Sequence, residues 1–342
     1  MSKITQILND AIIARHDFFN NSHAENTNSY RIFHGVNDGF QGLTIDRYGS
    51  SILIQTFREP LIKEELDEIK EIITKNTTLF ATDEEISFVY NNRTIHKEKD
   101  LNFVNTISEK ALEKKIFKEM NLNYVYQARH RGQDPFLFLD MRAGRRFIIK
   151  NSKDLSFLNL FSYTNASGIC AMQGGSKEVL NIDFAESSLE IGEENAKLNN
   201  FIQPNYKAIK SDVFFALRQL TGTPFKGRNG IHKKEKIIFK EKTFDLVFLD
   251  PPAWSKSPYG TIDLVRDYQS IFKLSLLATS KGGRIIAVNN VGKVNLNEWL
   301  EILKRCASKI GRNISNIEVI TPEEDFPSKD KNYPLKIAVC DV

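Results

Sequence analysis

Apolar positions along the chain recur with more than one period. From Thr5 to Asn20 the residues Ile7, Leu8, Ile12, Ile13, Phe18 and Phe19 fall on one stripe, which predicts an amphipathic helix. The segments "SYRIFHG", "GLTIDRYG" and "SSILIQTF" follow, rich in β-branched and aromatic residues and parted by Gly and Asn-Asp turns. They predict strands. "LIKEELDEIKEIITK" returns to helical spacing, and "ISFVYNN" reads as another strand. Residues 1–135 are therefore expected to form an N-terminal helix and a small α+β module.

From about Phe136 the pattern becomes strand, small-residue turn, helix, and repeats. "LSFLNLFSYT" is an apolar strand, and "NASGICAMQGG" leads into a helix. "EVLNIDF" predicts a second strand, "SSLEIGEENAKLNN" an amphipathic helix, and "YKAIKSDVFFALRQL" a third strand and helix. "FDLVFLDPP" is the fourth strand, "YQSIFKLSLLATSKGG" a helix ending at paired glycines, and "RIIAVNN" the fifth strand. Strands alternating with helices predict an α/β, doubly wound parallel sheet over residues 136–342. "NIEVITP" and "PLKIAVCDV" are joined by a loop alone, so a terminal hairpin should add one antiparallel strand.

In such sheets ligands bind beyond the carboxyl ends of the strands, near the point where strand order reverses. Ser162, Tyr163, Thr164 and Asn165 follow the first strand and open a helix whose amides can face a ligand. Asp183 ends the second strand, about twenty residues on, where a carboxylate can accept from both ribose hydroxyls. Asp212 follows the third, placed to accept from an adenine amino group, and Asp250 follows the fourth. The alternative for each aspartate alone is a helix N-cap or turn residue. Three at successive strand ends suit a nucleoside-containing ligand. The first turn lacks a full G-x-G-x-x-G, so a dinucleotide reading is weak.

Composition narrows the class only modestly. The 342 residues suffice for two domains, and 41% are hydrophobic and 26% charged. A formal charge of +4 does not by itself demand a nucleic-acid partner. Cys170, Cys306 and Cys340 have no paired spacing, which argues against a disulfide framework or a zinc site. No apolar run is long enough to span a bilayer, and the N-terminus carries Asp10 within its apolar stretch and lacks a small-residue cleavage site. The expected location is the cytoplasm.

"FLNLFSYTNASG", "VLNIDFAESSLEIGEENAKLNN", "SDVFFAL" and "FDLVFLDPPAWSKS" resemble the class I S-adenosylmethionine-dependent methyltransferases. Within them the resemblance is to the bacterial ribosomal large-subunit RNA methyltransferases of the I and K/L types, and "GLTIDRYG" and "FLFLDMRAGRR" extend it outside the catalytic domain. It implies a Rossmann-like domain with S-adenosylmethionine as cofactor. Phe161, Ser162, Tyr163, Thr164 and Asn165 would hold the methionine part, Asp183 the ribose, and Asp212 with Val213 the adenine. Asp140 and Arg142 would stand near the methionine carboxylate, a group Arg suits geometrically. The alternative for Arg142, Arg145 and Arg146 is a solvated helix face, which reads equally well for the last two. Asn165 departs from the family's usual Gly, and Asn tolerates left-handed backbone better than most residues.

Asp250, Pro251 and Trp254 are the expected catalytic group, and Asp250 is counted with the cofactor site as well. A carboxylate and rigid carbonyls can hold a base edge, and an aromatic can stack a flipped base. Trp254 reads alternatively as a hydrophobic plug. Methylation of cytosine carbon 5 requires a positioned thiolate. The resemblance puts that thiol at the end of the fifth strand, where this chain has Asn289 and Asn290. The three cysteines read instead as small buried hydrophobes. Guanine N7 needs only alignment of nucleophile, methyl and sulfur. Ala253 follows the second proline, where amino-methylating enzymes carry the aromatic, and Trp254 comes one residue later. This offset and the "NN" ending look most like the K-type domain, which forms 7-methylguanine. No PUA-type domain is expected before Ser29, in contrast to what resemblance to the I type alone would imply.

"YQARHRGQ" offers Arg129, His130 and Arg131 beside Tyr124 and Tyr126. "FKGRNGIHKKEKIIFKEK", with Lys233 and Lys234, has seven Lys/Arg against two Glu. Such segments suit phosphate contact with base stacking. A solvated loop is the plainer alternative. The expected function is 7-methylguanine formation in large-subunit ribosomal RNA. The rivals are 5-methylcytosine, an exocyclic guanine amine, a small-molecule or protein substrate, and an RNA-binding assembly factor without turnover.

Overall fold

A computed structural model of the chain describes residues 2–80, 85–93, 112–128, 134–224 and 238–342. It comprises two compact units, Met1–Asp140 with Pro322–Asn332, and Met141–Thr321 with Tyr333–Val342.

In the first unit, helices α1 (Lys3–Ala14), α2 (His16–Ala24) and α3 (Lys63–Lys75) accompany a four-stranded sheet. Its strands are β1 (Ser29–His34), β2 (Leu43–Tyr48), β3 (Ser51–Thr56) and β4 (Ser87–Asn92), in that order. Leu8, Phe19, Tyr30, Ile45, Ile54 and Ile69 share its core. The single predicted N-terminal helix is two helices broken at Arg15. The buried guanidinium of Arg15 turns back to Ala11 O at 3.0 Å and pairs with Asp38 at 2.7 Å.

The hairpin of β5 (Lys115–Glu119) and β6 (Leu122–Tyr126) was not predicted. It removes Tyr124 and Tyr126 from the candidate stacking surface. Tyr126 stacks on Tyr48 at 4.6 Å and Tyr124 on Phe117 at 5.7 Å, and both tyrosines are buried.

The second unit is built on a seven-stranded sheet. Its elements are α4 (Arg142–Asn151), β7 (Ser156–Leu160), α5 (Ala166–Gln173), β8 (Glu178–Asp183), α6 (Glu186–Leu198), β9 (Tyr206–Lys210), α7 (Val213–Leu220) and β10 (Phe244–Leu249). They continue with a hairpin of β11 (Trp254–Lys256) and β12 (Thr261–Asp263), then α8 (Tyr268–Leu277), β13 (Thr279–Asn289), α9 (Leu296–Lys309), β14 (Asn316–Ile320) and β15 (Lys336–Asp341). The order across the sheet is β14-β15-β13-β10-β7-β8-β9. All neighbours from β13 to β9 pair in parallel, and β15 runs antiparallel between β13 and β14.

Helices α4, α5 and α6 pack as one layer and α7, α8 and α9 as another, as a parallel sheet buried on both faces requires. Leu158, Leu160, Val247, Leu249, Ile285 and Ala287 join α7–α9 in one core. The paired glycines do not end a helix: α8 stops at Leu277 and β13 begins at Thr279. Gly282 has φ +75, and a Cβ on Gly283 would stand 2.8 Å from Asp245 O. The two glycines thus let β13 bulge against β10, whose pairing shifts between Phe244 and Leu246.

Candidate active site

Strand order reverses between β7 and β10, so the crevice beyond their ends is the expected ligand position. Register sets what stands there. Leu249 of β10 pairs with Leu160 of β7, and Leu160 with Ile182 of β8. Asp250, Phe161 and Asp183 therefore leave the sheet at one level.

The turn after β7 is held in an uncommon conformation. Phe161, Tyr163 and Asn165 all have positive φ, at 57, 49 and 60 degrees. Non-glycine residues in this region cost roughly 1–3 kcal/mol each and persist where surrounding contacts enforce them. Here Ser162 N donates to Ile182 O at 3.0 Å, Tyr163 N to Asp183 Oδ2 at 2.9 Å, and Asn165 N to Ser162 O at 2.7 Å. Asn195 of α6 donates to Thr164 O at 3.2 Å. Asn165 occupies a left-handed position that Gly would fill without strain. Its buried side chain lies against α6, where a Cβ on Gly192 would stand 2.3 Å from Asn165 Nδ2.

Asp183 is 5% exposed, and its Oδ1 accepts from Ala185 N at 2.8 Å. Burial raises its pKa above the ordinary carboxylate range, opposed by the amides of Ala185, Tyr163 and Phe184. Asp212 caps α7, accepting from Phe215 N at 3.0 Å through Oδ1. The N-cap reading is thus correct for Asp212, which also lines the adjoining cleft.

That cleft has a volume of about 190 Å³. Phe161, Asp212 and Val213 line it together with Phe184, Phe214 and the β11–β12 hairpin. Phe184 is 59% exposed although it directly follows a buried strand. It was missed at the sequence level, where "NIDF" reads as strand to its end, and its exposed ring is the signal that marks it. The hairpin closes on the cleft where Gly260 meets Phe214: a Cβ there would stand 2.6 Å from the ring.

Asp250, Pro251 and Trp254 do not line the cleft. Asp250 is half-buried and Pro251 buried, whereas Trp254 is 64% exposed, which overturns the plug alternative. Ser255, Lys256, Ser257 and Pro258, directly after it, form one wall. Arg142, the first residue of α4, and Arg145 are buried, and Arg146 is exposed. The solvated-face reading therefore holds for Arg146 alone. Asp140 is half-buried and belongs to the first unit. Arg129, Arg131, Lys233 and Lys234 lie outside the described residues.

A family model described as S-adenosylmethionine-dependent methyltransferase matches residues 30–339. The chain belongs to this family. Its cofactor is S-adenosylmethionine, and the site fits that group. A cleft lined by Phe161, Phe184 and Phe214 and by the Asp212 carboxylate suits a nucleoside. Ser162 Oγ, buried and without a partner, stands in the adjoining turn. The methyltransferase is 26% identical over 300 residues to the Ribosomal RNA large subunit methyltransferase I of Aeromonas salmonicida, covering 87% of this chain and 70% of the relative. The protein of that name from Alteromonas mediterranea is 26% identical over 320 residues, covering 92% and 75%. Among solved structures, one assigned as a methyltransferase and complexed with SAH superimposes with a TM-score of 0.77 at 21% identity, covering 99% of this chain and 81% of the other. Among the described residues no helix is long and apolar enough to cross a membrane.

Proposed function

We propose that the chain methylates a base nitrogen of large-subunit ribosomal RNA, and that the nitrogen is guanine N7. Bound S-adenosylmethionine supplies an electrophilic methyl group on a sulfonium. Transfer to N7 would form a bond from its lone pair to that methyl carbon as the carbon–sulfur bond broke. The protein's task is then alignment and exclusion of water.

In this reading Asp183 accepts from the ribose, and Asp212 with the Val213 amide meets the adenine edge beside Phe184. The 161–165 turn receives the methionine part. Arg142 of the second unit remains assigned to the methionine carboxylate. Asp250 and the rigid Pro251 turn hold the target base edge, with Trp254 stacking on it. The relatives' printed name supports the RNA class. The first unit, with Arg129, Arg131, Lys233 and Lys234, is assigned to RNA contact.

The observation that carries the choice of a nitrogen is the placement of the cysteines. Cys170 sits in α5, Cys306 in α9 and Cys340 in β15, and all three are buried. Burial raises the Cys306 thiol and pushes Cys340 up to about 12. Carbon methylation of cytosine, which needs an accessible thiolate, is therefore disfavoured even though the relatives are named as the I type.

The test is transfer of labelled methyl from S-adenosylmethionine to bulk ribosomal RNA, with the parent protein and with a folded variant lacking all three cysteines. The reading expects label in RNA with both. Label with the parent and none with the variant would restore the covalent route. No label in RNA with either would overturn the substrate class.

A further inference from the structure

The Trp254–Asp263 hairpin has two strands of three residues each, too little to hold itself in place. One anchor is Ile262, 3% exposed in the core, and another is the packing of Gly260 on Phe214. A third comes from the end of β13. Asn289 is fully buried, and its carboxamide is used at both ends. Nδ2 donates to Leu264 O at 3.2 Å, and Oδ1 accepts from Val291 N at 3.0 Å. Leu264 directly follows β12, and its own N–H donates to Ala253 O at 3.1 Å, the residue before Trp254. A hydrogen-bonded path thus runs from the strand end to the root of the hairpin.

Lys336 supports the same path from the neighbouring strand. It pairs with Asn289 in the β13–β15 ladder and is 3% exposed. Its Nζ donates to Val291 O at 3.2 Å, Tyr333 O at 3.3 Å and Pro334 O at 3.1 Å. Among the described residues no carboxylate pairs with it. A buried ammonium satisfied only by carbonyls is costly, and its geometry ties the loop after β13 to the start of β15.

We propose that Asn289 is a positioning residue for methyl transfer, latching the Trp254 hairpin to the end of β13, with Lys336 fixing the Val291 loop that orients it. This rests on the reading of Trp254 as the group that stacks the target base. A misplacement of about 1 Å in the aligned groups costs up to about a hundredfold in rate, so the latch acts on turnover without touching the cofactor.

The chain has two tryptophans, Trp254 at 64% exposure and Trp299 at 1%. In the full-length Trp299→Phe protein, Trp254 is the one indole left, and its fluorescence anisotropy decay reads the hairpin directly. Asn289→Ala on that background should give faster local depolarisation of Trp254. Asn289→Asp keeps the acceptor for Val291 but loses the donor to Leu264, and should behave alike. In the parent background both should lower kcat by about tenfold, the size of one lost hydrogen bond, with unchanged affinity for S-adenosylmethionine.

Unchanged depolarisation in a folded Asn289 variant overturns the latch. A loosened indole with unchanged kcat overturns the positioning role. A loosened indole in a protein whose parent transfers no methyl to RNA leaves the latch standing and overturns the base-stacking reading instead. If Trp299→Phe does not fold, acrylamide quenching in the two-tryptophan protein gives the same comparison, since buried Trp299 contributes little to it.

Discussion

Asp183 carries two duties on one carboxylate. Its oxygens organise the turn through Tyr163 N and Ala185 N, and it stands where the ribose is assigned. Asp183→Ala should weaken S-adenosylmethionine binding by roughly ten- to a hundredfold, the range for hydrogen bonds to a charged group. Calorimetry reads this, and unchanged affinity would remove the assignment. Because burial raises the Asp183 pKa, affinity should begin to fall on acidification at a higher pH than an ordinary carboxylate would set.

Asn165 makes a second residue-level case. Gly192→Ala would place a Cβ 2.3 Å from Asn165 Nδ2, and overpacking of this kind costs about 1–3 kcal/mol. Asn165→Gly removes the obstructing amide while accepting the left-handed backbone, so the double variant should recover stability. Additive losses in denaturant unfolding would contradict this coupling. The left-handed demand at 165 was legible only through the resemblance, in which Gly usually stands at this place. The Gly192 partner was not, because nothing in "SLEIGEENA" marks which face meets the turn.

At the scale of elements, the parallel strands of the second unit and the helices between them followed from apolar runs and small-residue turns. The β11–β12 hairpin did not, because "SKSPYGT" is polar and punctuated and shows no alternation. The β5–β6 hairpin was hidden the same way, as "KKIFKEMNLNYVY" mixes charge with apolar residues. Its burial of Tyr124 and Tyr126 could not be seen without the pairing. The break between α1 and α2 depends on Asp38, distant in sequence.

Strand β1 carries a pH-dependent element in His34. Burial first, then Arg31 and Arg15, lower its pKa from 6.5 to about 3. Arg31 Nη1 donates to His34 Nδ1 at 3.0 Å, and Asp38 Oδ2 accepts from the His34 amide at 2.6 Å. The unfolded chain takes up this proton near 6.5 and the folded chain only near 3. The stabilisation is therefore fully present above the unfolded value. It is lost as pH falls towards the folded value, by at most about 1.4 kcal/mol per unit. His34→Gln should flatten this slope between pH 6.5 and 5 in equilibrium unfolding. An unchanged slope would place the acid sensitivity elsewhere.

At the scale of the whole molecule, the register of the parallel sheet brings Asp250, Phe161 and Asp183 to one level, and the hairpin roofs the adjoining cleft. A nucleoside-containing ligand was readable in the chain because strand-end residues are fixed by topology, whereas the class and S-adenosylmethionine came through the resemblance. In the proposed reading the base is held by Asp250, Pro251 and Trp254, whose roles periodicity does not reach. The central claim is methyl transfer to guanine N7 in ribosomal RNA. Nucleoside mass spectrometry of large-subunit RNA, methylated by the purified protein with labelled S-adenosylmethionine, tests it most directly. The account predicts label in 7-methylguanosine, and label in 5-methylcytidine would contradict it.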